Sequence, residues 1–353
     1  MKKKVVFLAD CLITQKAGIH YYALQFIKRT IAKYTDHDYY IVVPEKYNHL
    51  NINQIVIPIN SKIPLHLRVR NIWHIPQSIN KLNPDIVIEM AHFGPFRLNS
   101  SIKRVTIIHD LTAILYPEWH DKASHIVQKL FLKRILKKAD HVITNSHSTA
   151  ESIKEYQPLT KDKITVVYPS INVKVKKNNS DKNIGVYFLS VGTIEPRKNY
   201  IQLIKAFEKV AANHGEVKLV IIGYKGWKYE PVLNAIKKST YSDRIILKGY
   251  ISEEELIKYY RNSIAFVFTT LYEGYGLPLL EAMSLESVII SSDIAICREV
   301  CGKAALFYKD TDDLSMKMVD VLKNQDSYAE MRKAALKQSN TINSAVIDLD
   351  NIL

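Results

Sequence analysis

The chain has 353 residues, 47% hydrophobic and 24% charged, an ordinary globular composition and a length greater than one core usually spans. No stretch approaches the ~20 apolar residues of a membrane span, and Cys11, Cys297 and Cys301 make neither a disulfide framework nor a zinc site, so a reducing, cytoplasmic setting is expected. The net charge of +14 resides in residues 1–184, where 28 Lys+Arg face 14 Asp+Glu, while the remainder balances 21 against 21; the two halves are expected to meet different partners.

Lys2-Lys3-Lys4 precedes the apolar run at residues 5–9, which Asp10 closes too early for a secretion signal, so the run reads as a first strand. Further strands are predicted over 39–43, 54–57, 85–89, 105–108, 141–144 and 164–167, with helices over 21–34 and 125–138 between them. Unbroken apolar strands alternating with helices predict a parallel sheet covered on both faces. His20, His92 and Phe93 fall in loops, and His109 directly follows a strand, where an imidazole could accept a proton or hydrogen-bond a ligand hydroxyl. On helix 125–138, Lys129, Lys133 and Lys137 recur every four residues beside Ile126, Leu130, Leu132, Ile135 and Leu136. That pattern reads either as a core-packed helix with a solvated face or as a peripheral contact with anionic membrane.

The polar, unpatterned stretch 171–184 reads as a linker between a domain over 1–170 and a second over 185–334. Strands are predicted there over 186–191, 218–222, 244–247, 265–269 and 288–291, helices over 200–213, 230–238, 253–261 and 278–284, and helix again from 311 onward. In open α/β sheets ligands bind outside the carboxyl ends of strands, and the unusual residues fall there. Gly192-Thr193-Ile194-Glu195-Pro196-Arg197-Lys198-Asn199 follows one strand; Arg197 as a planar fork and Lys198 as a point charge can neutralise a diphosphate without metal. Gly223 and Gly249-Tyr250 follow two others, in turns that could hold a flat base. Last come Glu273-Gly274-Tyr275-Gly276-Leu277-Pro278 and, about one turn into the helix, Glu281. Glycines let backbone amides approach a phosphate, proline suits a helix start, and the helix N-terminus supplies a positive dipole end; a carboxylate such as Glu281 can take two hydrogen bonds from a ribose diol.

Asp-x-Asp, the usual diphosphate–metal holder, occurs at Asp36/Asp38, Asp310/Asp312 and Asp348/Asp350. The first precedes its strand, the second reads as a helix start and the third lies in the tail, so no metal site and no cofactor are expected.

Together the paired acids Glu273 and Glu281 around Gly-Tyr-Gly-Leu-Pro, the Gly192–Asn199 segment, His109-Asp110-Leu111, Thr144-Asn145-Ser146 and Gly302-Lys303-Ala304-Ala305 resemble the group 1 glycosyltransferases of family GT4 over roughly residues 5 to 310. The resemblance implies a GT-B fold, two Rossmann-like domains with parallel sheets facing across a cleft, and transfer of a hexose from a nucleotide-diphospho-sugar with retention of configuration. By position, Arg197 and Lys198 would stabilise the leaving diphosphate, Glu281 would hold the ribose, and Glu273 would contact the donor sugar near the reacting carbon. His109 would touch that sugar from the other domain, and Gly18 would let backbone amides reach the diphosphate. Family members commonly return their last helix, here about 335–353, to the first domain. The wording of the Arg-Lys segment leans toward GDP-mannose, and the implied acceptor is a glycan or lipid-linked saccharide in cell-surface polysaccharide synthesis, at the inner face of the cytoplasmic membrane.

This sequence departs from the family in two places. Loop 15–20 holds one glycine where two adjacent ones are usual, and Glu286 occupies the glycine position of the turn after the donor helix. Rival readings are a nucleotide-sugar 2-epimerase or phosphorylase on the same fold, or a basic nucleic-acid-binding protein, although no recognition motif for a specific nucleic acid is present.

Overall fold

A computed structural model describes residues 1–14, 18–60, 66–91, 97–120, 122–171 and 185–353. The chain divides into two compact units, Met1–Leu115 with Lys122–Ser170 and Ala345–Leu353, and Tyr116–Asp121 with Ile171–Ser344.

The first unit is built on β1 (Lys4–Leu8), β2 (Asp38–Val43), β3 (Asn53–Val56), β4 (Ile86–Glu89), β5 (Lys103–Ile108), β6 (His141–Thr144) and β7 (Ile164–Val166). Their order is β3-β2-β1-β4-β5-β6-β7, with every pair parallel. The β-branched and aromatic runs explain the strands: Val5, Phe7, Ile41, Ile88, Val105 and Ile107 are buried on one side, Val6, Val42 and Val87 on the other. The second unit repeats the plan with β8 (Tyr187–Val191), β9 (Lys218–Ile222), β10 (Ile245–Lys248), β11 (Ala265–Phe268), β12 (Ile289–Ser292) and β13 (Leu306–Tyr308), all parallel in the order β10-β9-β8-β11-β12-β13. Both sheets are doubly wound. Their strand order reverses between β1 and β4 in one and between β8 and β11 in the other, and such a switch point opens a crevice at the strands' carboxyl ends.

The predicted strands are all present within a residue or two, and β13 adds an unforeseen three-residue edge. The helices Ile75–Leu82, His147–Tyr156 and Ala295–Cys301 were also not anticipated. The last helix, Ala329–Ser344, belongs to the second unit, and the residues after it return to the first. Ile347, Leu349 and Ile352 are buried in the first unit's core, Lys103 Nζ donates to the Asn351 and Ile352 carbonyls at 3.0 and 2.9 Å, and Tyr34 Oη donates to Asp350 at 2.6 Å. The third Asp-x-Asp thus helps to fasten the tail. The expected linker lies, beyond residue 171, outside the described residues.

Candidate active site

The second unit brings the sequence-selected residues together at its switch point. At the end of β8, Gly192 adopts φ 153° and receives the Tyr200 hydroxyl on its carbonyl at 2.9 Å. A Cβ on Gly223, at the end of β9, would stand 2.0 Å from that carbonyl oxygen, so the two strand ends can approach this closely only with glycine there. Thr193 lies under Gly226 in the same way. A single 3-10 turn, Pro196–Lys198, then aims Arg197 and Lys198, and Asn199 closes it in the left-handed region at φ 53°, a conformation Asn tolerates better than most residues.

At the end of β11, Thr269 Oγ1 donates to the Lys198 carbonyl at 2.7 Å, Thr270 Oγ1 to the Arg197 carbonyl at 3.1 Å, and the Leu271 amide to the same Arg197 carbonyl at 2.7 Å. These bonds tie the cation turn to the glycine loop. Gly276, at φ 94°, caps the start of helix Leu277–Ser284, with Pro278 in its first turn. Gly274, Tyr275 and Gly276 are buried and Leu277 is half-buried; a helix start of this kind can receive an anion on backbone amides.

Sequence reasoning did not reveal that these charges bond one another. Arg197 Nη1 donates to Glu273 Oε2 at 2.8 Å and Lys198 Nζ bonds Glu273 Oε1, while Arg197 Nε bonds Glu195. Glu195 is 1% exposed and Glu273 and Lys198 are each 8% exposed, so a network of two cations and two carboxylates sits largely out of water. Burial lowers the Lys198 pKa from the usual lysine range against the pull of Glu273, and burial raises that of Glu195 against its two cations. Lys198 also lies 5.4 Å over the Phe268 ring. Glu195 is thus an unforeseen member, whose only sequence signal was an acid two residues before an Arg-Lys pair.

Glu281 lies one turn into its helix, where Tyr260 Oη donates to it at 2.8 Å. Burial pushes its carboxyl up to about 7, opposed by that hydrogen bond and reinforced by Glu253. Tyr260, on the preceding helix Glu253–Asn262, is a second residue that sequence reasoning missed. Gly249 and Tyr250 are exposed after β10; a Cβ on Gly249 would meet nothing within 4 Å, so that glycine is not required by packing.

In the first unit, His109 follows β5 and is 6% exposed, packed edge-on against Tyr22 with centroids 5.1 Å apart. Its Nε2 lies 2.7 Å from the Met90 carbonyl. A carbonyl can only accept, so Nε2 carries the hydrogen. Gly18 opens the helix Gly18–Lys33, with residues 15–17 outside the described set. His20 packs edge-on against Tyr21 and Tyr47, and His92 and Phe93 lie outside the described residues.

The remaining Asp-x-Asp motifs have structural uses. Asp310 caps helix Thr311–Lys323, accepting from the Asp312 and Asp313 amides at 2.9 Å, and Asp312 pairs with Lys209. Asp38 opens β2. Among the described residues no group of three or more His, Cys, Asp or Glu is placed to hold a metal ion. The turn at Glu286 keeps the conformation that glycine would favour: φ is 56°, with the Ser287 amide bonding the Ala282 carbonyl and the Glu286 amide bonding that of Met283. That is a Schellman helix end with a glutamate at its left-handed position.

Both units are similar to known proteins. The family described as Glycosyl transferases group 1 matches residues 171–338, and Glycosyltransferase Family 4 matches residues 17–175. O-antigen chain mannosyltransferase B of Escherichia coli is 28% identical over 261 residues, which cover 70% of this chain and 68% of that protein. O-antigen chain mannosyltransferase RfbU of Salmonella typhimurium is 27% identical over 259 residues, 71% of this chain and 69% of that one. Among solved structures, Anabaena HepE in complex with UDP-glucose superposes with a TM-score of 0.75 at 14% identity, covering 99% of this chain and 100% of that one.

Proposed function

The chain belongs to the family 4, group 1 glycosyltransferases of the GT-B fold, a hexosyltransferase, and on that premise we propose that it moves a mannosyl residue from GDP-mannose, with retention of configuration and without a metal, to a glycan or lipid-linked saccharide. The observation that carries this reading is the buried network Arg197–Glu195–Glu273–Lys198 at the switch point of the second sheet. Breaking an anomeric C–O bond builds negative charge on the diphosphate and positive charge on the sugar. Arg197 has five N–H donors and Lys198 three, so both can donate to phosphate oxygens beside their existing carboxylate partners. With the diphosphate on the remaining donors of the two cations, Glu273 keeps its bonds to them beside the donor sugar, and Glu281 takes the ribose. Front-face substitution fits this arrangement: Glu273 bonds both cations, a poor setting for a nucleophile. The two mannosyltransferase relatives support mannose and cell-surface polysaccharide synthesis.

A thermal-shift screen of UDP-, GDP- and dTDP-sugars with EDTA present tests the donor. GDP-mannose should stabilise the protein in the chelator, and stabilisation by another donor alone would overturn the assignment. Release of nucleoside diphosphate only when acceptor is added separates transfer from epimerisation or phosphorolysis.

Peripheral contact with the inner face of the cytoplasmic membrane is part of the same proposal. On helix Lys122–Lys138, Leu132, Ile135 and Leu136 are buried, whereas Ile126 and Leu130 are 53% and 67% exposed beside Lys129, Lys133 and Lys137. Apolar side chains flanked by lysines suit the boundary of an anionic bilayer. Among the described residues no helix is long and apolar enough to cross a membrane. Sedimentation with liposomes should depend on anionic lipid and fall with salt; binding indifferent to both removes this part of the reading.

A further inference from the structure

The turn Tyr116-Pro117-Glu118-Trp119-His120 belongs to the second unit, which the chain joins at Tyr116 and leaves again for the first at Lys122, and no step above uses it. Pro117 sets the φ of a 3-10 turn, Pro117–Trp119, in which the Trp119 amide donates to the Tyr116 carbonyl and the His120 amide to the Pro117 carbonyl, both at 3.1 Å. Side chains three apart eclipse in such a turn, and the Tyr116 and Trp119 rings stack with centroids 4.2 Å apart and planes 9° from parallel. Two loops hold the turn in place. Tyr116 tilts against Tyr272, on the loop after β11, with centroids 5.2 Å apart. On the loop after β9, Lys228 Nζ donates to the Glu118 carbonyl and Trp227 packs against His120 at 5.5 Å. β9 and β11 are the two neighbours of β8, so the turn spans the loops on either side of the one that carries Arg197 and Lys198. The β9 loop is tied to that cation loop, its Gly226 amide donating to the Ile194 carbonyl at 3.1 Å.

Resting on the transfer reading above, we infer that the stacked pair Tyr116–Trp119 is a platform for a pyranose ring of the acceptor glycan. A turn packed only as a brace gains most by burying its rings; here Tyr116, Trp119 and Tyr272 are half-buried, and Glu118 and Lys228 are exposed at their rim. That combination suits a sugar, whose C–H face packs on an aromatic ring while its hydroxyls need polar partners. The Glu118 carboxylate accepts hydroxyl protons, and Lys228 keeps two N–H donors beyond the one on the Glu118 carbonyl. The acceptor hydroxyl must reach the donor sugar beside Glu273, and the platform's anchor Tyr272 is the chain neighbour of that carboxylate. The site therefore reads the saccharide of the acceptor, not a lipid or phosphate that the saccharide carries.

The test is calorimetry and saturation-transfer NMR with two neutral trisaccharides, α-mannotriose and maltotriose, added to the GDP-loaded full chain in EDTA and to Trp119→Ala and Trp119→Tyr. At least one trisaccharide should bind the parent, with saturation passing from aromatic protons to ring C–H protons. Trp119→Ala should weaken that binding roughly three- to ten-fold, Trp119→Tyr should retain most of it, and GDP should bind both variants as it binds the parent. A parent that binds neither trisaccharide, or binding unchanged in Trp119→Ala, overturns the platform. GDP and trisaccharide lost together in the variants mark the turn as a brace for the donor loops and overturn it as well. A parent that fails to bind GDP overturns the donor reading instead. The platform is then judged on the trisaccharides alone, whose saturation transfer must still fall in Trp119→Ala.

Discussion

Replacing Glu273 by glutamine should reveal the charge network in the stability of the protein before any turnover is measured. The substitution keeps the shape of the side chain and removes the charge that holds both Arg197 and Lys198. Taking one partner from a buried ion pair costs about 3–5 kcal/mol. Arg197 keeps Glu195 and is 19% exposed, so the lower end, about 3 kcal/mol, applies here. For a unit of this size that is a fall in Tm of roughly 6–12 °C. Lys198, whose pKa burial already lowers, then faces a further push toward neutrality. A lysine held below its unfolded pKa binds fewer protons folded than unfolded, so stability rises with pH; the penalty of Glu273→Gln should be largest near neutral pH, where the parent's Glu273 supplies its charge, and shrink toward the ordinary lysine range. Inorganic diphosphate, bringing back negative charge, should stabilise the variant more than the parent. Differential scanning calorimetry across pH, with and without diphosphate, reads all three effects. A variant melting within 1–2 °C of the parent (roughly half a kcal/mol), with equal diphosphate stabilisation in both, would refute the network as the source of the anion site.

Three further outcomes follow from two single residues. Glu281, raised to about 7 by burial, takes both hydrogen bonds of a ribose diol only when ionised, so Kd for the nucleotide sugar should climb as pH falls through 7, a trend that Glu281→Gln should flatten. Because its folded pKa lies above the unfolded carboxylate value, Glu281 costs stability increasingly from about pH 4.5 to 7; Glu281→Gln should therefore gain Tm relative to the parent above pH 7 and not below 4.5. At the Schellman turn, Glu286→Gly relieves a left-handed conformation at φ 56° and should stabilise by about 1 kcal/mol, visible as a rise in urea midpoint that Glu286→Ala does not reproduce.

The sheets were legible in the chain because each central strand is a short apolar run buried on both faces, a pattern that survives without tertiary context. The edge strand Leu306–Tyr308 escaped notice because three residues carry no period, and helix Ile75–Leu82 because Pro76 and Asn83 punctuate it so closely that it reads as loop. The site was half legible. Glycines, acids and cations stood out at strand ends, but the pairing of Glu273 with residues 75 and 76 positions earlier, and of Tyr260 with Glu281, arises only when parallel strands bring distant loops side by side. Helix Lys122–Lys138 shows the same limit. Its apolar residues look alike in sequence, and only packing separates buried Leu132 and Leu136 from exposed Ile126 and Leu130.

The most direct measurement is calorimetric titration of GDP into the parent, Arg197→Ala and Lys198→Ala proteins in a buffer containing EDTA. Micromolar binding by the parent, weakened at least ten-fold by each substitution and indifferent to added magnesium, is the predicted result. Binding that appears only when magnesium replaces the chelator, or that neither substitution weakens, would contradict the account.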